Sequence, residues 1–254
     1  MQFDAYGASL PLEEAGEVAR IVEELGFSGL WFTESKRTPY LACAVASTTT
    51  SAITLGTAIA VAFPRSPMIT AQTAWELGRA SRGRFSLGLG SQVKAHVERR
   101  FSMPFEHPGP KLREYVLALR AIWRAFQGEE PLDFKGDFYS FSLLTDFFSP
   151  GPSDYSVIPI SVAGVNPGMA RLAGEVCDGF HVHPFHSPRY LAEVIRPAIA
   201  DGAAKAGRDP SACEVFCPVF TIVGDSEEAR APQRESVRRQ IGRASCRERV
   251  CQYV

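Results

Sequence analysis

The stretch GFSGLWFTESKRTP, residues 26–39, contains a helix end, a strand and the start of another helix. Gly26 follows a segment in which apolar residues recur every three or four positions, so it is placed to end a helix as the left-handed C′ residue. Residues 29–34 form the short apolar run that is typical of a buried strand. Thr38 then precedes Pro39, an order that favours a helix start because proline lacks only an N–H that would be unpaired there. The stretch therefore predicts a strand flanked by helices.

The same unit repeats along the chain, which predicts a parallel sheet surrounded by helices. Seven strands are predicted, at residues 2–7, 29–34, 53–60, 84–90, 158–163, 179–183 and 214–223. Later helices open on Ser66-Pro67, Asn166-Pro167 and Ser187-Pro188. Each start follows a strand end, so the connections gather at the edge where a (β/α)8 TIM barrel builds its site. A doubly wound open sheet fits the same alternation.

Residues 128–157 interrupt the repeat with glycines, prolines and a short aromatic run from Phe134 to Phe141. Such punctuation is typical of loops and hairpins, and it separates this segment from the regular strands and helices. We interpret it as an insertion over the barrel mouth, within a single domain of residues 1–240.

Composition excludes several classes of protein. Lys and Arg number 27 against 28 Asp and Glu, a net charge of −1, so the basic excess of a nucleic-acid-binding protein is missing. The sequence contains no apolar stretch long enough to span a membrane and no signal peptide at its start, which predicts a cytoplasmic protein with no membrane partner. The six cysteines lack paired spacing and are interpreted as free thiols.

Two short motifs resemble known functional motifs, but the residues around them do not complete either one. Gly88-Leu89-Gly90 ends the fourth strand, but Val93 stands where a dinucleotide-binding fingerprint needs its third glycine. Glycines there still let a ligand approach the backbone closely. Ser91 to Lys94 spells S-x-x-K without the companion motifs of a penicillin-binding enzyme.

Glu34, His181 and His183 are candidate site residues because they end predicted strands two and six at one edge. The two imidazoles share one face of their strand and could line a polar pocket, pack in the core or bind a metal; zinc would need further ligands, so no metal site is predicted. Glu34 is either a rim residue or a placed acid, base or cofactor anchor. Cys213 and Cys217 are predicted to fill the core.

Four segments together resemble the bacterial luciferase-like monooxygenase superfamily: GFSGLW (26–31), LGTAI (55–59), RFSLGLG (84–90) and RLAGEVCDG (171–179). The stretch GSQVKAHVERRF (90–101) is similar to a group of oxidoreductases that use the deazaflavin coenzyme F420. The resemblance covers residues 1 to about 240. It implies a luciferase-like TIM barrel that binds a flavin or deazaflavin at its carboxyl-terminal face.

The resemblance also implies a cofactor site. In this family a non-prolyl cis peptide at the end of strand three backs the ring, and it maps to Ala58–Ile59. Backbone N–H groups after strand five hold the phosphate, and a helix N-terminus suits an anion on physical grounds. The cofactor residues implied are Ala58, Ile59, Gly90, Ser91, Ala163, Gly164, Val165, Asn166, Gly168 and Met169.

Relatives that oxidise sugar phosphates or secondary alcohols carry an acid–histidine pair after strand two and a glutamate after strand four. Here those positions hold Glu34-Ser35 and Val93. The catalytic candidates are Glu34, Gln92, His96, His181 and His183.

The leading hypothesis is hydride transfer between coenzyme F420 and a small organic substrate. The alternatives are a flavin mononucleotide (FMN) monooxygenase and a flavin-binding barrel without turnover. The sequence is compatible with a homodimer.

Residues 241–254 (IGRASCRERVCQYV) resemble a translated sequencing adapter. They show no helical or strand periodicity and no pattern able to form an eighth strand. We expect native sequence to end near Gln240 and the barrel to be truncated before its eighth strand. Unpaired strand edges predict that the chain folds and binds its cofactor poorly by itself.

Overall fold

The computed structural model describes the backbone of residues 2–251 and the side chains of residues 2–239. Its strands are β1 (Asp4–Ala8), β2 (Gly29–Thr33), β3 (Thr54–Thr57), β4 (Ala60–Val61), β5 (Phe85–Gly90), β6 (Phe134–Lys135), β7 (Ser140–Phe141), β8 (Ile160–Gly164), β9 (Gly179–Val182) and β10 (Glu214–Phe216). Seven strand regions match the seven predicted ones, the predicted third strand being divided into β3 and β4.

These strands, apart from β6 and β7, form a parallel sheet in the order β1-β2-β3-β5-β8-β9-β10, with β4 paired to β5. Neighbours in the sheet follow chain order, which excludes the doubly wound alternative because that fold reverses its strand order at a switch point. The sheet is curled: the rings of Trp31 on β2 and Phe216 on β10 lie 4.9 Å apart across its inside. The architecture is a TIM-barrel-like half-barrel.

Helices cover the outside of this sheet. They are α1 (Ala15–Glu24), α2 (Pro39–Thr49), α3 (Pro67–Ala80), α4 (Lys94–Arg100), α5 (Pro108–Gln127), α6 (Pro167–Val176), α7 (Pro188–Tyr190), α8 (Arg196–Lys205) and α9 (Glu227–Cys251). A π turn, Leu191–Ile195, joins α7 to α8. None of the helices in residues 2–251 is long and apolar enough to cross a membrane.

The predicted helix signals are confirmed in detail. Gly26 follows α1 with φ +79°, as the C′ interpretation requires. The side chains of Ser66, Asn166 and Ser187 each accept a hydrogen bond from an N–H in the first turn of the helix that follows. Thr38 makes no such capping bond, although Pro39 opens α2 as expected.

The excursion at 128–157 is held by the helices α3 and α5, and its place over the barrel mouth stays a prediction. Its antiparallel hairpin, β6–β7, is tied to α5 because Glu114 accepts the N–H groups of residues 137–139 at 2.6–2.8 Å. Further along, Trp75 Nε1 of α3 donates to the carbonyl of Gly151 at 3.2 Å. The segment therefore packs against the outer helices α3 and α5, which offer it both apolar surface and a buried acceptor.

The last strand is shorter than predicted. β10 ends at Phe216, and Pro218, which has no N–H to donate to a ladder, follows two residues later. Cys217 is consequently exposed and does not fill the core, whereas Cys213 is buried. Together with Cys43 and Cys177, both are free thiols in the described part of the chain.

The backbone of residues 241–251 is helical as part of α9, which corrects the expectation that the tail lacks helical order. Arg, Ala, Glu and Gln dominate this helix and have high helix propensity. The side chains of Cys246 and Cys251 lie outside the described residues, as do residues 252–254.

Candidate active site

The carboxyl ends of the strands lie side by side because the sheet is parallel and in register. Phe32 of β2 is opposite Thr57 of β3, Leu89 of β5 is opposite Val162 of β8, and Gly164 of β8 is opposite Val182 of β9. The segments that follow these strands therefore share one edge. Most of the predicted site residues lie in those segments, whereas Gly90, Ala163, Gly164 and His181 belong to the strands themselves.

The segment between β3 and β4 is held by β2. The predicted non-prolyl cis peptide is present at Ala58–Ile59. Thr33 Oγ1 donates to the carbonyl of Ala58 at 2.8 Å, and the N–H of Glu34 donates to the carbonyl of Ile59 at 3.1 Å. Both carbonyls are thus fixed by the residues that end β2.

The two glycines of β5 leave room for the segment between β3 and β4. A Cβ atom on Gly88 would lie 1.9 Å from the carbonyl oxygen of Thr57, and one on Gly90 would lie 2.6 Å from Cδ1 of Ile59. Both glycines are therefore required by contacts within the chain, and the approach of a ligand to Gly88-Leu89-Gly90 stays a prediction.

Glu34 is neither exposed nor unpaired. Its residue is 8% exposed, and Oε2 accepts the N–H of Val61 at 2.7 Å. Arg65 donates through both terminal nitrogens, NH2 to Oε1 at 2.7 Å and NH1 to Oε2 at 2.9 Å. These contacts occupy both oxygens with donors from the chain, so the rim interpretation of Glu34 is wrong.

Sequence reasoning missed Arg65 because it lies 31 positions from Glu34. A carboxylate at the end of an apolar strand predicts that a buried cation exists, since an unpaired buried charge is costly, but it does not say which one. Arg65 also lies over the ring of Tyr40, 5.3 Å from its centroid.

His181 lies inside the barrel, below the mouth. Its Nε2 is 2.9 Å from Ser161 Oγ and its Nδ1 is 3.4 Å from the hydroxyl of Tyr6. The ring stacks on Phe216 at 4.4 Å and meets the edge of Trp31 at 5.1 Å. Burial lowers the pKa of His181 to about 3, so the imidazole is neutral near pH 7.

His183 differs from His181 in its surroundings, although the two were predicted to share one face. It follows the end of β9, is exposed, and its Nδ1 accepts the N–H of Phe185 at 3.1 Å. Glu34 bonds to Arg65 and Val61, whereas His181 bonds to Ser161 and Tyr6. The predicted convergence of Glu34 and the two histidines on one pocket stays a prediction.

The loop after β5 holds the remaining catalytic candidates. Gln92 has φ +59°, and its Oε1 accepts the N–H of Val93 at 3.0 Å. Ser91 Oγ donates to the carbonyl of Gln92 at 3.2 Å. His96 is half-buried on α4. Ser91 and Gln92 thus shape the loop itself.

The connection from β8 to α6 has the character of an anion site. Ala163 and Gly164 are small and half-buried, and Asn166 caps α6 by accepting the N–H of Met169 at 3.0 Å. Gly168 is exposed in the first turn of this ten-residue helix. First-turn N–H groups have no partner within a helix and favour anions, so these residues fit a phosphate.

Sequence reasoning also missed the interior residues Tyr6, Trp31, Ser161 and Phe216. Their positions follow from the two-residue period of a strand, because Ser161 and Ala163 point to the same side of β8. What the period cannot show is which strands lie opposite one another across the barrel.

A cavity of about 200 Å³ lies at the opposite, amino-terminal edge. Its lining includes Asp4, Ser86, Ser161 and Glu214, together with Trp31. Trp31 Nε1 donates to Asp4 Oδ2 at 2.8 Å. This cavity is separate from the mouth, where the predicted cofactor residues lie.

The chain is similar in sequence and in fold to several known proteins. A sequence model of the family described as luciferase-like monooxygenase matches residues 2–251. An uncharacterized protein of Mycobacterium tuberculosis is 44% identical over 230 residues, which cover 91% of this chain and 68% of that protein. A 5,10-methylenetetrahydromethanopterin reductase of Methanolobus tindarius is 31% identical over 224 residues, covering 87% of this chain and 65% of the relative.

Among solved structures, the coenzyme F420 dependent tetrahydromethanopterin reductase from Methanopyrus kandleri is similar with a TM-score of 0.72 at 24% identity. The match covers 87% of this chain and 65% of that one. This likeness shows the fold. The chain spans about two thirds of the length of the relatives that it matches.

Proposed function

The chain belongs to the luciferase-like monooxygenase family, whose sequence model matches nearly its whole length, and we propose from this that it is an oxidoreductase using coenzyme F420. Its substrate would be a small organic molecule. Two of the similar proteins are named as a 5,10-methylenetetrahydromethanopterin reductase and as a coenzyme F420 dependent tetrahydromethanopterin reductase. When bound, the deazaflavin supplies a ring that accepts or gives up a hydride.

One observation supports the proposal most strongly. The carboxyl edge combines a fixed backbone ledge, residues 58–61, with the exposed first turn of α6. A planar ring needs a rigid surface behind it and a phosphate needs N–H donors, and the edge offers both.

Ala58 and Ile59 would support one face of the ring, with Gly90 and Ser91 beside them. Val165 and Asn166 would present backbone to the phosphate, and Gly168 would add its N–H. Met169, whose N–H is held by Asn166, would line the first turn of α6. Ala163 and Gly164 would leave room at the strand end. Tyr190 steadies this loop by donating its hydroxyl to the carbonyl of Val165 at 2.8 Å.

On the substrate side, His183, Gln92 and His96 would position substrate or hold a proton. His181 would remain neutral and orient Ser161 and Tyr6. These roles are proposals that rest on the placement of the residues after the ends of β5 and β9.

The second candidate function is an FMN-dependent monooxygenase, favoured by the name of the matching family. A barrel that binds flavin without turnover is the third. Measured affinities for the two cofactors separate the first two candidates, and turnover with a reduced or oxidised cofactor separates both from the third.

The test measures the binding of coenzyme F420 and of FMN to residues 1–254. Fluorescence titration gives the affinities, and thermal unfolding gives the change in Tm. Because the strand edges are unpaired within the described residues, we expect coenzyme F420 to bind weakly but saturably. It should raise Tm, since a ligand that binds only the native state at 100 times its Kd adds about 2.7 kcal/mol. Gly168→Asp should abolish binding, because a carboxylate repels the phosphate while remaining compatible with a helix N-terminus.

Gly109→Asp is the matched control. Gly109 also follows the proline that opens a helix, and a side chain there would meet nothing within 4 Å. It should fold and bind as the wild type does. Equal binding by the Gly168 and Gly109 variants, or no saturable binding of either cofactor by the wild type, would refute the proposal.

A further inference from the structure

Glu34 and Arg65 hold both polar groups of Val61. Glu34 Oε2 accepts the Val61 N–H at 2.7 Å, and Arg65 NH1 donates to the Val61 carbonyl at 2.8 Å. The same two side chains bond to each other twice. Val61 is therefore enclosed by an ion pair whose side chains are only 5% and 21% exposed.

Glu34 also holds Ile59, which lies two residues before Val61. The backbone N–H of Glu34 donates to the carbonyl of Ile59 at 3.1 Å. A single residue, Glu34, thus binds the segment through its main chain at Ile59 and through its side chain at Val61. Movement of the Glu34 carboxylate would move the whole ledge of residues 58–61.

Arg65 is itself fixed from the other side. Its guanidinium lies over the Tyr40 ring of α2, and NH2 is 3.5 Å from Thr38 Oγ1. The Tyr40 hydroxyl is buried and has no hydrogen-bond partner among the described residues. The guanidinium thus contacts the carboxylate, the Val61 carbonyl and the aromatic face at the same time.

We propose that Glu34 and Arg65 are a positioning pair that sets the place of Ile59 against the cofactor ring, and that Glu34 does not exchange protons with the substrate. This inference rests on the proposed function. It replaces a proton-transfer role for Glu34, because the carboxylate is paired with Arg65 and both of its oxygens already accept hydrogen bonds from the chain.

Arg65→Lys is the informative variant. A lysine keeps the positive charge, but a single ammonium does not reproduce the planar fork that reaches both Glu34 oxygens and the Val61 carbonyl. Arg113→Lys is the matched control, since Arg113 on α5 pairs with Glu175 on α6 at 2.8 Å, outside the ledge.

The experiment measures two quantities in residues 1–254: amide hydrogen exchange without cofactor, and the absorbance and induced circular dichroism of coenzyme F420 at saturation. We expect Arg65→Lys to speed exchange at Val61 by about tenfold, while exchange at Leu87–Leu89 of β5 is unchanged. The spectrum of bound coenzyme should also change, which a purely structural role would not cause once the site is saturated. Arg113→Lys should change neither quantity.

The outcomes separate the two proposals. Saturable binding by the wild type, with Val61 exchange and the bound spectrum unchanged in Arg65→Lys, overturns the positioning pair and leaves the proposed function standing. No saturable binding of coenzyme F420 or FMN by the wild type overturns the proposed function and the role toward the ring with it.

Discussion

At the scale of single residues, Gly88 is required by a contact within the chain. We expect Gly88→Ala to destabilise the protein by about 3 kcal/mol, because the new methyl group would overlap the Thr57 carbonyl and force a backbone shift. Urea unfolding would measure this loss. Gly109→Ala, which meets nothing within 4 Å, serves as the control and should unfold at about the wild-type urea concentration. Equal urea midpoints for the two variants would show that the contact with Thr57 does not require a glycine at position 88.

His181 should make stability depend on pH. Burial lowers its pKa to about 3 in the folded protein, whereas an unfolded histidine titrates near 6.5. The unfolded state therefore takes up a proton first, so the stability due to neutral His181 is present above about pH 6.5 and is lost as pH falls towards 3. Between pH 7 and pH 5 the loss should reach about 2 kcal/mol.

The measurement is the difference in unfolding free energy between pH 7 and pH 5, for the wild type and His181→Gln. The variant should lose most of this difference. His186→Gln, at a half-buried histidine whose Nδ1 lies 2.9 Å from the His183 carbonyl, should keep it. A wild-type difference that survives in His181→Gln would assign the pH dependence to other groups.

At the scale of elements, the β6–β7 hairpin depends on one carboxylate. Glu114 is 9% exposed and accepts three backbone N–H groups. Glu114→Gln should cost about 1 kcal/mol, because an amide cannot accept all three bonds and a part-buried N–H group is left unpaired. Thermal unfolding and the rate of proteolysis at residues 136–139 would show the effect, with the exposed Glu129→Gln as control. Unchanged proteolysis would mean that other contacts hold the hairpin.

The elements that the sequence predicted well are those determined locally. Proline after a capping residue placed the starts of α3 and α6, and an apolar run of five or six residues placed β2 and β5. The sequence did not predict how residues 128–157 are held, because their path depends on Glu114 and Trp75, which lie outside this segment. The site divides in the same way: Glu34 was recognisable as a carboxylate that ends an apolar strand, but Arg65 and Tyr40 become its neighbours only through folding.

At the scale of the whole molecule, the sheet path ends at β1 on one side and β10 on the other. Within the described residues no further strand pairs with these edges, and unpaired edges template association with other chains. We expect the sedimentation coefficient of residues 1–254 to rise with concentration. A single slow species over a hundredfold range of concentration would show that the edges are protected.

The cavity at the amino-terminal edge bears on how the protein responds to hydrostatic pressure. A dry void of 200 Å³ would amount to about 120 mL per mole, and the contraction on unfolding, usually about 20–100 mL/mol, grows with such voids. Its lining of carboxylates and hydroxyls instead suits ordered water, since a polar space of this size offers each molecule several partners. The protein should therefore resist compression like a well-packed one, with solvent acting as part of its interior.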